Sequence, residues 1–224
     1  MGIVAVGDEL LAGAHPDLNS PYLAYRCQEF GRSVRRVIVV GDEEPDIAAA
    51  VNALAAENAT VFVSGGLGPT LDDVTRHGVA RALGVELYES EEAWAEVSGW
   101  FIRAGRPVLD SNRRQALIPV GSERIPNGFG TAPGFRAQHP SGAVVMVGPG
   151  PPQELQGVFD AEIAPWLAAH PPDTKKRSKR VLHFGDLPES TFAEGVGEWM
   201  ARDANPLVGV TVKEGVLTAR CVAI

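Results

Sequence analysis

A glycine-rich stretch at residues 64–75, with the sequence SGGLGPTLDDVT, brings glycines, hydroxyls and carboxylates together. It follows a β-branched run at 60–63 that predicts a buried strand, and it leads into residues 72–83, which predict a helix. Glycine lets a ligand approach the main chain closely, and the N–H groups that open a helix suit an anion. Adjacent Asp72 and Asp73 could hold a hard divalent cation. The stretch predicts a phosphate-and-metal site; the alternative is a tight turn in which one Asp caps the helix.

Other loops carry similar residues directly after predicted strands. Short apolar runs predict a buried strand at 3–6 and further strands at 34–40 and 143–147. Glycine and oxygen ligands follow them, as GDE at 7–9, GDE at 41–43 and GPG at 148–150. Alternating strands and helices predict an α/β fold with a mostly parallel sheet covered on both faces. Ligands bind at the carboxyl ends of such strands, so we expect Asp8 and Asp42 to share one rim with the glycine-rich stretch.

The middle of the chain is less regular. Residues 85–88 resemble a strand, and Ser90 opens a predicted helix with a buried stripe of Ala93, Val97, Trp100 and Ala104. Residues 105–142 are rich in proline and glycine and predict irregular structure, except for a short helical piece at 112–117.

Composition and charge argue against several classes of function. The chain has 224 residues, a net charge of −8 and an ordinary globular content of 45% hydrophobic residues. The acidic balance argues against broad binding to nucleic acid or to anionic membranes. Its two cysteines give no disulfide framework. Asp8 and Glu9 interrupt the apolar N-terminus, which excludes a signal peptide, and no apolar run could span a bilayer, so we expect a cytoplasmic protein.

A domain boundary is predicted near residue 170. Residues 1–170 form the first predicted domain, 171–178 a linker and 179–224 a small α+β domain. The second domain reads as a strand at 181–184, a helix at 188–201 and a hairpin across Lys213, Glu214 and Gly215. The basic stretch 175–180 favours a solvated linker or an exposed strand start over a nucleic-acid contact.

Several familiar catalytic motifs are missing from the sequence. There is no P-loop, no dinucleotide fingerprint after the first strand, no nucleophile elbow and no histidine spacing typical of a metal site. Acids and backbone donors remain, and cleavage of a diphosphate needs mainly positioning and a cation. Asn112, Arg113, Arg114 and Gln115 could add donors, with a helix cap and a solvated face as the alternatives.

Seven motifs in order resemble one family. They are GDELLAG at 7–13, DLNS at 17–20, VGDE at 40–43, the stretch at 64–75, NRRQA at 112–116, GTAPGF at 130–135 and PGPPQEL at 149–155. Together they resemble the MoaB/MogA-like molybdopterin-binding domain, in the version found in the competence/damage-inducible CinA family. The small second domain resembles the KH-like domain of CinA. The resemblance covers essentially the whole chain.

The resemblance implies a three-layer α/β/α fold and a metal-dependent ADP-ribose pyrophosphatase that gives AMP and ribose 5-phosphate. For the molybdenum-cofactor relatives it implies binding or adenylylation of molybdopterin, with two functionally important aspartates at the positions of Asp42 and Asp73. The deamidase domain that often follows in CinA is expected to be missing, so that activity is not carried over. No Nudix box is present, so any pyrophosphatase activity would rest on the rim.

The strand-end loops and the resemblance together indicate one set of candidate site residues. Asp42, Asp73 and Asp8 are the predicted catalytic residues, and Asp72 with Asp73 would bind Mg²⁺ or a similar divalent cation, with K⁺ as a further candidate. The predicted phosphate- or nucleotide-binding residues are Asn19, Ser64, Gly65, Gly66, Gly68, Pro69, Thr70, Thr75, Asn112, Gln115, Pro149 and Gly150.

Two rival functions stay open. One is binding of molybdopterin or a nucleotide without hydrolysis. The other is regulation through RNA bound to the KH-like unit, which the charge of −8 and the lack of a Gly-x-x-Gly clamp there disfavour. The expected partner is a small nucleotide or pterin, with no membrane, and the resemblance implies a homodimer or homotrimer.

Overall fold

The structure, a computed structural model, describes residues 1–172 and 178–223. The chain divides into two compact units, Met1–Pro171 and Pro172–Ile224. Residues 173–177 of the predicted linker, which include part of the basic stretch, lie outside the described residues. Across the described ranges, no helix has the length and apolar character needed to cross a bilayer.

The first unit is built on a six-stranded sheet. Its strands, in chain order with two strands that lie outside this sheet, are β1 (Gly2–Val6), β2 (Arg36–Val40), β3 (Thr60–Ser64), β4 (Leu87–Glu89), β5 (Leu117–Pro119), β6 (Glu123–Ile125), β7 (Gly134–Gln138) and β8 (Val144–Gly148). The order in the sheet is β2-β1-β3-β8-β7-β6. The first four strands in that order pair in parallel, and β7 and β6 add antiparallel pairs at one edge.

Helices cover both faces of this sheet. They are α1 (Asp8–Leu11), α2 (Asn19–Cys27), α3 (Glu44–Glu57), α4 (Thr75–Leu83), α5 (Glu91–Arg103), α6 (Pro152–Val158) and α7 (Ala164–Ala169), the last two joined by a π-helical turn, Phe159–Ile163. Alternate strand residues enter different cores: Val61 and Val63 pack with α3 and α4, whereas Phe62 packs with α2 and α6. The predicted three-layer α/β/α fold with a mostly parallel sheet is therefore confirmed.

Four local predictions need correction. The helix predicted from residue 72 begins at Thr75, so Asp72 and Asp73 lie in the turn before it. Residues 105–142 are not simply irregular, because they contain β5, β6 and β7. The strand predicted at 85–88 is Leu87–Glu89, and it pairs with β5 in a separate two-stranded sheet. Ala104, predicted to be buried, is exposed.

Other predictions for this unit hold. The side chain of Ser90 accepts a hydrogen bond from the Ala93 N–H and so caps α5. Ala93 and Val97 are fully buried. The helical piece predicted at 112–117 is a 3₁₀ helix, Asp110–Ala116.

The second unit is the predicted small α+β unit. It contains β9 (Ser178–Gly185), α8 (Glu189–Val196) with a 3₁₀ turn (Gly197–Met200), β10 (Leu207–Lys213) and β11 (Val216–Ala223). The strands form an antiparallel sheet in the order β10-β11-β9. Val208, Leu217 and Ala219 are its buried apolar residues.

Candidate functional site

Loops that follow β1, β2, β3 and β8 line one cleft in the first unit. The cleft has a volume of about 590 Å³. Of the residues predicted from sequence, it is lined by Asn19, Asp42, Ser64, Gly65, Gly66, Gly68, Asp72, Asp73, Gln115, Pro149 and Gly150. The structure thus brings together residues from five separated segments, at the sheet edge where open α/β folds bind ligands.

Five predicted site residues do not line the cleft: Asp8, Pro69, Thr70, Thr75 and Asn112. Thr75 and Asn112 are buried. Asn112 acts as a cap, because its Oδ1 accepts a hydrogen bond of 2.9 Å from the Leu109 N–H. This geometry matches the alternative of a helix cap. Thr70 and Asp8 act through other side chains, as described below.

The glycines allow close packing at the base of the cleft. Gly65 and Gly66 have positive φ angles of 103° and 62°, a region that favours glycine. A Cβ at Gly65 would collide with the carbonyl oxygen of Val6, and a Cβ at Gly66 would collide with the Thr75 hydroxyl. The chain therefore needs glycine at both positions to follow β3 with this turn.

Asp73 organises the loop that contains it. Its Oδ1 accepts a hydrogen bond of 2.7 Å from the Gly68 N–H. Its Oδ2 accepts from the Thr70 N–H at 2.8 Å and from the Thr70 hydroxyl at 2.5 Å. The donors of Gly68 and Thr70 are thus used inside the loop. Among the described residues, the N–H groups of Gly66 and Leu67 line the cleft and have no protein acceptor, so they are available to an anion.

Asp42 and Asp8 form a reciprocal pair. The Asp8 N–H donates to Oδ2 of Asp42 at 2.9 Å, and the Asp42 N–H donates to Oδ1 of Asp8 at 3.2 Å. Partial burial raises the pKa of Asp42 above its usual value, and the charges of Asp8, Glu9 and Asp72 act in the same direction, while the Asp8 N–H opposes them. Asp42 faces the cleft and Asp8 supports it from outside.

A buried arginine lies beneath the glycine-rich loop. Arg76, at the second position of α4, is only 2% exposed. Its guanidinium donates to the carbonyl oxygens of Leu67 at 2.9 Å, Gln115 at 3.1 Å and Pro133 at 3.5 Å. Burial lowers its pKa to about 10, and the charge of Asp73 opposes that shift. Arg76 therefore joins three segments of the rim and places a positive charge under them.

Further contacts fix the rim. The Asn19 side chain donates to the Gly150 carbonyl at 2.8 Å, which joins the first turn of α2 to the loop after β8. The side chain of Asp17 caps the start of α2, because its Oδ1 accepts hydrogen bonds from the N–H groups of Asn19 and Ser20. Arg114 donates to the Thr70 carbonyl at 2.8 Å.

Arg113 does not reach the cleft. Its guanidinium pairs with Glu89 and lies 4.5 Å from the centre of the Trp94 ring. The two arginines predicted as possible donors therefore serve the loops around the site.

Sequence reasoning missed several residues of the cleft, namely Glu9, His15, Asp17, Thr131 and Glu154. Glu154 and Thr131 lie inside motifs that carried the family resemblance, which was the available signal. Arg76 directly follows the glycine-rich motif, but no periodicity in a single sequence marks a buried arginine.

A cation was predicted at Asp72 and Asp73. The part of the chain that the structure describes contains no group of three or more His, Cys, Asp or Glu side chains placed to hold a metal ion. Asp72 is exposed, and both Asp72 and Asp42 line the cleft. Mg²⁺ commonly takes one or two carboxylates together with substrate phosphates, and the donors fit that arrangement.

The chain resembles known proteins over its full length. Residues 2–169 match the family described as a probable molybdopterin binding domain. A "putative competence-damage inducible protein" of Symbiobacterium thermophilum is 37% identical over 94% of this chain and 50% of that protein. A "CinA-like protein" of Parasynechococcus marenigrum is 35% identical over 99% of this chain and 52% of that protein. The chain therefore spans about half the length of the curated relatives it matches.

Solved structures give the same relationship. The crystal structure of CinA from Thermoplasma acidophilum, described as a protein of unknown function, matches with a TM-score of 0.68 and 31% identity, and covers 74% of this chain and 97% of that chain. A molybdopterin biosynthesis protein from Mycobacterium abscessus shares the fold, with a TM-score of 0.51 and 18% identity over 75% of this chain and 92% of that chain. The chain belongs to the CinA family, and its first unit is a MoaB/Mog-like molybdopterin-binding-type domain.

Proposed function

We propose that this chain hydrolyses a nucleoside diphosphate sugar in the cleft, with ADP-ribose as substrate and AMP and ribose 5-phosphate as products. The observation that carries the proposal is one cleft containing both unpaired loop N–H groups, at Gly66 and Leu67, and a carboxylate of raised pKa, at Asp42. The N–H groups suit a phosphate oxygen, and the carboxylate suits a water molecule.

Different residues bind the phosphate, take the proton of the water and orient the base. The N–H groups of Gly66 and Leu67 bind a phosphate oxygen, and the buried charge of Arg76 beneath them favours the anion. Asp42 orients a water molecule and takes its proton as the water oxygen bonds to phosphorus. The bond between phosphorus and the bridging oxygen breaks, and the leaving phosphate departs with that oxygen. The Asp8 N–H fixes the orientation of the Asp42 carboxylate.

A divalent cation fits this site as a partner of the substrate. Asp72 would hold it together with phosphate oxygens, which leaves the free oxygen of Asp42 for the water molecule. Asp73 is less available as a ligand than the sequence suggested, because its oxygens already accept three hydrogen bonds. When bound, the cation would neutralise charge that develops on the phosphate oxygens.

The test is release of AMP from ADP-ribose, with Mg²⁺ or K⁺ supplied separately and together. Asp42→Asn keeps an acceptor for the Asp8 N–H but removes the proton acceptor, and we expect kcat to fall about 100-fold. Asp46→Asn, an exposed aspartate in the first turn of α3, is the matched control and should leave kcat unchanged. Absence of AMP under every cation condition would overturn the proposal, and a wild-type rate in Asp42→Asn would remove Asp42 from the mechanism.

The second candidate is binding of molybdopterin or a nucleotide without hydrolysis. It is favoured by the match of residues 2–169 to a probable molybdopterin binding domain and by the structural use of Asp73. Calorimetry with molybdopterin and with AMP, combined with no turnover of any diphosphate, would support it. A homodimer or homotrimer remains a proposal for either function, and light scattering would decide it.

A further inference from the structure

One wall of the cleft holds a carboxylate that the proposed reaction does not use. Glu154 lies in the first turn of α6 and lines the cleft with Gln115, Thr131 and Ala132. An acidic residue in a first turn commonly serves only the helix dipole. Glu154 differs, because it is half-buried and its neighbours make room for its carboxyl group and donate a hydrogen bond to it.

The neighbouring main chain leaves room for this carboxyl group. A Cβ at Gly130 would overlap Oε2 of Glu154, so the absence of a side chain there gives the carboxyl group its position. Within the described residues, no Lys, Arg or His nitrogen lies within 4.0 Å of Glu154. Burial raises the pKa of Glu154 above its usual value, and the hydrogen bond from Asn127 opposes that shift.

Asn127 fixes the direction of the hydrogen bonds at Glu154. Asn127 is 2% exposed, and its Oδ1 accepts from the Phe129 N–H at 3.0 Å, which determines the orientation of the amide. Its Nδ2 therefore donates, at 3.0 Å to the Ala132 carbonyl and at 2.9 Å to Oε2 of Glu154. Both protons of the amide nitrogen are used.

The other oxygen, Oε1, accepts no hydrogen bond from the described part of the chain. It is not shut off from solvent, so a donor on a ligand in the cleft would replace water at this oxygen. The cleft also contains Pro149, Pro151, Pro152 and Ala132, whose apolar surfaces suit the flat face of a heterocycle.

We propose that Glu154 is a specificity-determining residue that accepts a hydrogen bond from the exocyclic amino group of the ligand's heterocyclic base. The inference rests on the proposed function, because it assigns the base of that nucleotide. It concerns binding and does not require hydrolysis.

Binding of AMP and IMP by calorimetry tests the inference. The two nucleotides differ in the base, where IMP has a carbonyl oxygen in place of the amino group and carries its N–H on the neighbouring ring nitrogen, away from the position of that group. The wild-type chain should bind AMP about tenfold more tightly than IMP, which is the ratio expected for one hydrogen bond.

Glu154→Gln should reverse this preference. The Asn127 donor holds the new amide oxygen on its own side, so the new amide nitrogen faces the cleft and suits the carbonyl of IMP. Glu154→Met, which supplies neither group, should bring the ratio close to one. Glu162→Gln changes an exposed carboxylate in the adjoining π-helical turn and should behave as wild type.

Equal binding of AMP and IMP by the wild-type chain, or an unchanged ratio in both Glu154 variants, would overturn the inference and leave the hydrolysis proposal standing. A ligand hydroxyl bound at Glu154 would give that equal binding. Failure of the wild-type chain to bind either nucleotide would overturn the inference, whereas the proposed function is overturned only if no AMP is released from ADP-ribose. Circular dichroism of each variant shows whether it is folded, and either Glu154 variant alone gives a decisive ratio.

Discussion

The loop after β3 and the loops after β1 and β2 hold their carboxylates in opposite ways. In the first, Asp73 accepts three hydrogen bonds from its own loop, and Arg76 anchors that loop from below. In the second, Asp42 accepts one hydrogen bond, from Asp8, and faces the cleft with a raised pKa. The family resemblance gave Asp42 and Asp73 equal importance. Their surroundings indicate that Asp73 shapes the site and Asp42 is available for chemistry.

The difference matters because both oxygens of Asp73 are occupied by donors of its own loop, whereas one oxygen of Asp42 is free at the cleft. Burial, together with neighbouring negative charges, raises the pKa of Asp42, so this carboxylate takes up a proton more readily. The following measurements test the assignment of Asp73 to a structural role and of Asp42 to a chemical one.

The largest effect on stability should come from substitution of Arg76, which anchors the loop after β3. Arg76→Leu leaves the carbonyls of Leu67, Gln115 and Pro133 without this donor in a buried setting. We expect the free energy of unfolding to fall by about 3 kcal/mol, measured by urea denaturation. Arg81→Leu, an exposed arginine on the same helix, should change it by less than about 0.5 kcal/mol. Equal effects of the two variants would contradict the anchoring role.

A smaller loss of stability should follow from Asp73→Asn. The amide offers only one acceptor oxygen, so at least one of the bonds from Gly68 and Thr70 is lost. We expect about 2 kcal/mol of destabilisation in the same assay. The exposed neighbour provides the control, since Asp72→Asn should be close to neutral. If Asp73→Asn lowered activity without lowering the free energy of unfolding, Asp73 would have a chemical role and not a structural one.

The smallest effect should be the pH dependence contributed by Asp42. Its folded-state pKa is raised above 3.8, so the folded chain binds this proton more strongly than the unfolded chain. The stability it contributes is present below pH 3.8 and is lost as pH rises through the raised folded-state value. Asp42→Asn removes this contribution, so its stability should fall less than that of the wild type over that window. Parallel curves in urea titrations from pH 3 to 7 would argue against a raised pKa.

The parallel strands of the sheet could be predicted because each is a continuous apolar run in the sequence. The apolar runs at 3–6, 60–63 and 143–147 are buried on both faces, and burial on both faces is what makes a run continuous. The strands β6 and β7 were missed because each is short and is flanked by proline or glycine. Residues 105–142 therefore gave no periodic pattern, although they supply one wall of the cleft.

The site could be predicted only as a collection of loops. The strand-end rule located Asp42, Gly66 and Gly150 at one edge. The partners of each carboxylate could not be predicted, because the turn before α4 folds Asp73 back onto Gly68 and Thr70, while the similar Asp72 is left exposed. The role of Glu154 depends on Asn127 and Gly130, which are distant in sequence and meet it only in the folded chain.

The triple attachment of Arg76 has a consequence for how the rim opens. Residues 67, 115 and 133 belong to different segments, yet each gives its carbonyl to the same guanidinium. Local unfolding of one segment would hydrate that charge and weaken its hold on the other two. In native-state hydrogen exchange, amide protons near these three positions should therefore exchange with one common opening free energy, as a single cooperative unit.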